Sequence, residues 1–208
     1  MEDIFTFAGC PVLGQPGDDT DIDYLNPCEA CNREDTVVSF LDYSFDGWDG
    51  EQIVTHNNLY AVTVPLRDAL SAAGLKGISF RRMKATKSSR FAEFSPDPEA
   101  ELPEFWQLVI ESKLDPKALS PSGWWERKGA CPKCGRAFWD HTDRVGEGLM
   151  AAVMGQVGPP REVARAAWDG GDIFYHEDPG PPLVTRRAKE VFDKLRVKGV
   201  AFHPARWV

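Results

Sequence analysis

Four of the five cysteines in this sequence fall into two Cys-x-x-Cys pairs, Cys28/Cys31 and Cys131/Cys134. If the pairs share one metal ion, any fold open to the chain must carry residues 28–31 and 131–134 to within a few ångströms of each other. The second pair reads Cys131-Pro132-Lys133-Cys134-Gly135, a zinc-knuckle sequence. Two thiolates from one tight turn grip a single metal, the glycine takes the positive φ required after the second ligand, and freed backbone N–H groups point at sulfur. In the first pair Asn32 stands where the glycine would be. Asn is among the non-glycine residues most tolerant of left-handed backbone, so the knuckle geometry survives, and Pro27 favours a turn there. Residues 32 to 130 separate the pairs, far more than the roughly 15–20 of a compact zinc ribbon.

Two other readings of the cysteines compete with metal. A thioredoxin-like redox site needs one pair opening a helix, whereas two pairs each followed by Gly or Asn suit metal better. Disulfides fit poorly with a reducing cytosol. Cys10 has no partner pair and reads as a small buried side chain. Four thiolates close a tetrahedron and leave no position for substrate, so the expected site is structural.

Hydrophobic residues at 42% and charged residues at 27% are ordinary for a globular chain, and 16 Pro with 18 Gly imply many turns. The opening Met1-Glu2-Asp3 is acidic where a signal peptide is basic, and no apolar run approaches the roughly 18 residues of a membrane span. A cytoplasmic protein is expected. The net charge of −8 is unevenly spread: residues 1–50 hold twelve Asp or Glu against Arg33 alone, a net −11, leaving +3 for the rest. Part of that excess is a basic cluster at Arg81, Arg82, Lys84, Lys87 and Arg90. Overall acidity argues against a general nucleic-acid binder, whose footprint is a dominant basic face.

The chain also matches itself. Trp48-Asp49-Gly50 recurs as Trp168-Asp169-Gly170, with Ile53 matching Ile173 and His56 matching His176; two residues later in register, Val62-Thr63 pairs with Val184-Thr185, Lys76-Gly77 with Lys198-Gly199, and Phe80 with Phe202. Leu66, Ala69, Leu70 and Ala73 form one helical stripe, and Ala188, Val191, Phe192 and Leu195 another. Pro65 suits a first helical turn, Thr185 a cap, and Gly74 the position past a helix end. The pattern predicts an α+β fold in a single domain, residues 1–208. It comprises two strand-strand-helix-strand pseudo-repeats, about 28–82 and 131–204, linked by an irregular segment 83–130 and joined by the four-cysteine zinc site. The crossover helices predict that the last two strands of each unit run parallel. Within the linking segment Leu102–Ile110 contains a strand, and Pro121–Gly129 reads as a turn-rich loop carrying Trp124 and Trp125.

No catalytic constellation stands out. His56 and His176, at matched positions, read as packing residues, and His-Glu-x-x-His, Gly-x-Ser-x-Gly and Walker sequences are missing. Gly146-Glu147-Gly148 imitates a dinucleotide fingerprint but follows no convincing strand.

With two Cys-x-x-Cys motifs, a Trp-Asp-Gly element and a C-terminal strand-helix-strand in about this length, the chain from Cys28 to its end resembles the double-CXXCG motif family of myxobacterial paralogues. Some members are described as immunity proteins paired with swarm-inhibition toxins. The resemblance implies a non-enzymatic protein that neutralises a cognate toxin by binding. It carries over residue by residue only at Cys28, Cys31, Cys131, Cys134 and Gly135, and Asn32 departs from the family glycine. The expected cofactor is zinc, and the expected binding surface is the acidic N-terminal third, including Asp18, Asp19, Asp21 and Asp23. A zinc-containing nucleic-acid binder using residues 81–90 and an enzyme of unrecognised type are the alternatives.

Overall fold

A computed structural model describes residues 3–114, 125–142, 160–176 and 180–208. It is mostly β, 47% strand against 15% helix, organised as two large sheets and a separate hairpin. The first sheet runs β2 (Gly14–Pro16), β4 (Arg33–Phe45), β7 (Ile78–Lys87), β8 (Phe105–Ile110), β6 (Leu59–Thr63), β5 (Ile53–His56), with β3 (Asp21–Cys28) paired to β4 alone. It curls until its ends almost meet: the Thr55 N–H donates to the Pro11 carbonyl at 3.0 Å, and His56 Nδ1 lies 3.0 Å from the Gly14 carbonyl oxygen. The result is a nearly closed barrel.

The second sheet runs β12 (Arg161–Val163), β15 (Ala201–Trp207), β1 (Ile4–Ala8), β14 (Leu183–Thr185), β13 (Ile173–Tyr175), β9 (Ser112–Lys113). Helices α1 (Val64–Ala72) and α3 (Arg186–Leu195) cross between strands, and a short α2 (Phe91–Phe94) lies against the barrel. The two-residue turn Asn57-Asn58 joins β5 to β6 with φ of 49° and 65°, the pair of left-handed residues that a type I′ hairpin requires.

Alternation of side chains along the strands divides the interior into three layers. Val54, Ala61 and Phe105 point into the barrel with Leu41, Tyr43 and Phe45. Their neighbours Ile53, Tyr60, Val62 and Leu108 point outward into a central core that also takes Phe7, Ile173, Val184 and the helical residues Leu66, Leu70, Ala188 and Phe192. Ile4, Phe174 and Leu183, on the far face of the second sheet, pack with Val163 and Ala164. Strands β6, β8, β13 and β14 are thus covered on both faces and read as near-continuous apolar runs, whereas β7 and β15 keep exposed polar residues.

The expected α+β class, with helix-containing repeats joined by zinc, is therefore corrected. The two striped helices do form, and Thr185 caps α3 by accepting from the Ala188 N–H at 3.3 Å. They are minor elements on a β framework. Segment 83–130, expected to be irregular apart from a strand within Leu102–Ile110, supplies that strand as β8 together with the end of β7, β9 and β10 (Trp125–Ala130), the last overlapping the loop expected over Pro121–Gly129. The parallel strands expected around each helix are not neighbours: β8 lies antiparallel between β6 and β7, and β1 antiparallel between β14 and β15. Strand insertion from a distant part of the chain leaves no local periodicity to read.

The four cysteines do not join the sheets either. The central core does, with a seam of polar contacts at the matched residues. Buried Asp172 accepts from the Lys76 N–H at 2.9 Å and from Thr185 Oγ1 at 2.9 Å, while Gln52 accepts from the Lys198 N–H at 3.0 Å. Each Trp-Asp-Gly turn is closed by its own indole, Trp48 Nε1 to the Glu51 carbonyl at 3.0 Å and Trp168 Nε1 to the Gly171 carbonyl at 2.8 Å. Asp172→Ala leaves a backbone N–H and a hydroxyl without their acceptor at the seam, each costing about 1–3 kcal/mol if it stays dry. We expect chemical denaturation to register a loss of about 2–3 kcal/mol; an unchanged midpoint would mean that water replaces the carboxylate freely.

Candidate metal centre

Both Cys-x-x-Cys pairs sit at hairpin tips. The first lies between β3 and β4, and the second between β10 and β11 (Ala137–His141), the antiparallel pair that forms the separate hairpin. The turns are alike: the Asn32 N–H donates to the Cys28 carbonyl at 2.7 Å, and the Gly135 N–H to the Cys131 carbonyl at 2.8 Å. Asn32 and Gly135 have φ of 52° and 76°, the left-handed backbone that the sequence predicts at both.

The four Sγ atoms lie within 4.8 Å of one another. Cys28 and Cys131 are 3.7 Å apart at sulfur, as are Cys31 and Cys134. A tetrahedral metal with bonds of about 2.3 Å to sulfur places its ligands about 3.8 Å apart, so the donor set fits such an ion. The same spacing is far beyond the roughly 2.0 Å of a disulfide, and neither pair opens a helix as a thioredoxin-type site would.

The peptide backbone prepares the sulfurs for this role. Backbone N–H groups of Cys134 and Lys133 point at Cys131 and lower its thiol below the usual range, and that of Arg136 lowers Cys134. Cys28 is raised by desolvation, but N–H groups from Ala30 and Cys31 and the neighbouring thiols outweigh it, so the net shift is downward. Cys31 is pushed up to about 11, chiefly by desolvation. Cys28 and Cys131 are buried, Cys31 is half-buried, and Cys134 faces solvent.

Side chains clamp the two hairpins around the cluster. Arg33 Nη1 donates to the Ala137 carbonyl at 2.8 Å, with its guanidinium over the Phe138 ring. Arg136 donates to the Arg33 and Asn26 carbonyls and pairs with Asp35 at 2.9 Å, which holds the Asp35 carboxyl below its ordinary range. Lys133 meets Glu29 at 3.1 Å. These cations also offset the negative charge that four thiolates would bring to one ion. Sequence reading missed Arg33 and Arg136 as clamps, although their places beside the knuckles were a signal that could have found them.

Other sequence candidates lie elsewhere. Cys10 is half-buried at the edge of the central core, and burial pushes its thiol up to about 12. His56 bridges the barrel ends, while His176 is buried and pushed down to about 3, by burial first and by Arg161 second. Asp18, Asp19, Asp21 and Asp23 are all exposed, Asp19 receiving Lys84 at 2.6 Å. The basic cluster is engaged within the chain. Arg81 donates to the Val38 carbonyl, Arg82 lies over Trp106, Lys84 joins Asp19 and Asp42, Lys87 lies over Phe91, and Arg90 lies over Phe94. Trp124, the side chain of Trp125 and Gly146-Glu147-Gly148 fall outside the described residues.

Among the described residues no helix is long and apolar enough to cross a membrane. No protein-family model matches the chain, and no curated protein matches it.

Proposed function

We propose that this chain is a non-enzymatic, zinc-containing immunity protein that acts in the cytoplasm and neutralises a cognate toxin by direct binding. The observation that carries the reading is the four-cysteine cluster at the tip of an acidic, exposed hairpin. Four sulfurs at tetrahedral spacing suit zinc, and an ion so enclosed keeps no open position for a substrate, which supports a structural role for the metal and a binding role for the protein. The resemblance to the double-CXXCG family points to a toxin as the partner. The nucleic-acid alternative draws no support from residues 81–90, whose cations are spent on contacts inside the chain.

The test is capture of the product of the adjacent gene by the purified, zinc-loaded protein, followed by association kinetics. Exposed charge acts mainly through encounter rate. Replacing Asp18, Asp19, Asp21 and Asp23 together by Asn is expected to slow association about tenfold or more at low salt and to flatten its salt dependence. An unchanged rate at low and moderate salt would move the binding surface elsewhere.

A further inference from the structure

The first knuckle is carried by a two-stranded ribbon that projects beyond the barrel. β7 pairs with β4 only from Leu41 onward, so β4 residues 33–40 have β3 on one side, while on the other Arg81 reaches the Val38 carbonyl. Among the described residues nothing pairs with the outer edge of β3. An unpaired edge of this length is a template for another strand.

The register defines one face of the ribbon. Asp21, Asp23 and Leu25 alternate along β3, and their partners across the ribbon are Phe40, Val37 and Asp35. Leu25 is 45% exposed, and Val37 and Phe40 are each 37% exposed, so three large apolar side chains form a strip in water with Asp21, Asp23 and Asp35 around it. An isolated hairpin that leaves such a strip bare is marginal in water. Here the barrel holds one end and the cysteine cluster the other, so the ribbon is pre-ordered without a cover.

We propose that the outer edge of β3 accepts an extended cationic segment of a partner protein as an added strand, with its basic residues beside Asp21 and Asp23 and an apolar residue beside Leu25 on the same face. This rests on the binding role proposed above and names the surface and the chemistry of what binds it. Backbone pairing supplies affinity, and side chains at every second position of the incoming strand share the face of Asp21, Asp23 and Leu25, so the two carboxylates select Lys or Arg and Leu25 an apolar neighbour, while Asp35 is already paired with Arg136. A second copy of this chain is a poor occupant: the same acidic face would meet itself, on a chain of net charge −8. The register shift at Leu25/Cys28, where β3 carries the extra residue, together with Pro27, also restricts casual edge-to-edge pairing to the stretch before it.

The probe is the seven-residue lysine–valine peptide Thr-Val-Thr-Lys-Thr-Lys-Thr, whose valine and lysines share one face, compared with a glutamate–valine version (both lysines replaced) and a lysine–serine version (valine replaced), added to zinc-loaded protein. Backbone amides 21–25 are expected to exchange at least tenfold more slowly with the lysine–valine peptide, and its affinity to exceed that of either control at least tenfold and to fall with salt. The paired variant Leu25→Thr, Val37→Thr keeps strand propensity and is expected to lose that difference while still holding one equivalent of zinc, which shows that the ribbon is intact. No binding, equal binding of the lysine–serine peptide, or binding that leaves amides 21–25 unprotected overturns the proposal. Should the protein capture its toxin while β3 stays unprotected, the immunity reading stands and this surface is wrong.

Discussion

Stripping the metal, by chelation or by Cys131→Ser, is expected to release one equivalent of zinc per chain and to free the two hairpins from each other while the barrel stays folded. Zinc joining two pseudo-repeats, as the sequence predicts, would make loss of a ligand severely destabilising to the whole fold. The structure moves the consequence. None of the four cysteines belongs to the three apolar clusters that hold the sheets, and among residues 21–40 of the first hairpin only Ile22 and Val38, at its barrel end, pack in one of them. What remains between the hairpins without metal is exposed ion pairing and a few hydrogen bonds, which stabilise weakly in water. A structural zinc is worth on the order of 10 kcal/mol, so its loss decides the matter for this part of the chain. Exchange of amides 23–40 and 126–140 should rise by more than about a hundredfold, for which about 3 kcal/mol suffices. Amides of β6 and β8 should change little. Elemental analysis finding no zinc in the purified protein would remove the proposed metal, and collapse of the barrel on chelation would restore the staple between halves.

Phe7→Ala is the largest single-residue effect expected in the barrel and second sheet. Phe7 is 1% exposed, belongs to β1 of the second sheet, and lies 5.9 Å from Tyr60 of the barrel, 5.3 Å from Phe192 of α3 and 5.5 Å from Phe202 of β15, centroid to centroid. Removing the ring opens a cavity where both sheets and a helix meet, a loss of about 3–5 kcal/mol out of a total stability of order 5–15. Because the cavity belongs to both sheets, slowly exchanging amides in β8 and in β14 should lose the same protection in one cooperative step. A drop confined to β14 would mean that the sheets are separate folding units and that residues 1–208 are not one domain.

Parts of this structure were legible locally. Asn32 and Gly135 each follow a second cysteine, and a left-handed residue is needed there whatever surrounds it, so both were readable from the tight turn alone. Leu66 and Leu70, like Ala188 and Phe192, are buried at helical spacing, and Thr185 caps from within its own helix. In segment 83–130 the strand within Leu102–Ile110 was legible; the two-residue β9, paired with a strand far along the chain, was not, and β10 reads as part of a loop. β8 is held by β6 and β7, β9 by β13, and β10 by β11. β3 was harder still. Its residues Asp21 to Cys28 show no clean alternation of apolar and polar side chains because, up to the cysteine, neither face of the ribbon is well buried.

The sequence by itself determined the chemistry of the cysteine turns, the two striped helices with the Thr185 cap, and the concentration of carboxylates in the first fifty residues, since each depends on neighbours within a few positions. Only the tertiary structure decided that β1 would lie between β14 and β15, that the four sulfurs would meet at hairpin tips outside the core, and that Leu25, Val37 and Phe40 would stand in water. Those outcomes depend on which distant strands pair and in what register. That choice is made by burial summed over the whole chain, and no local stretch of sequence records it.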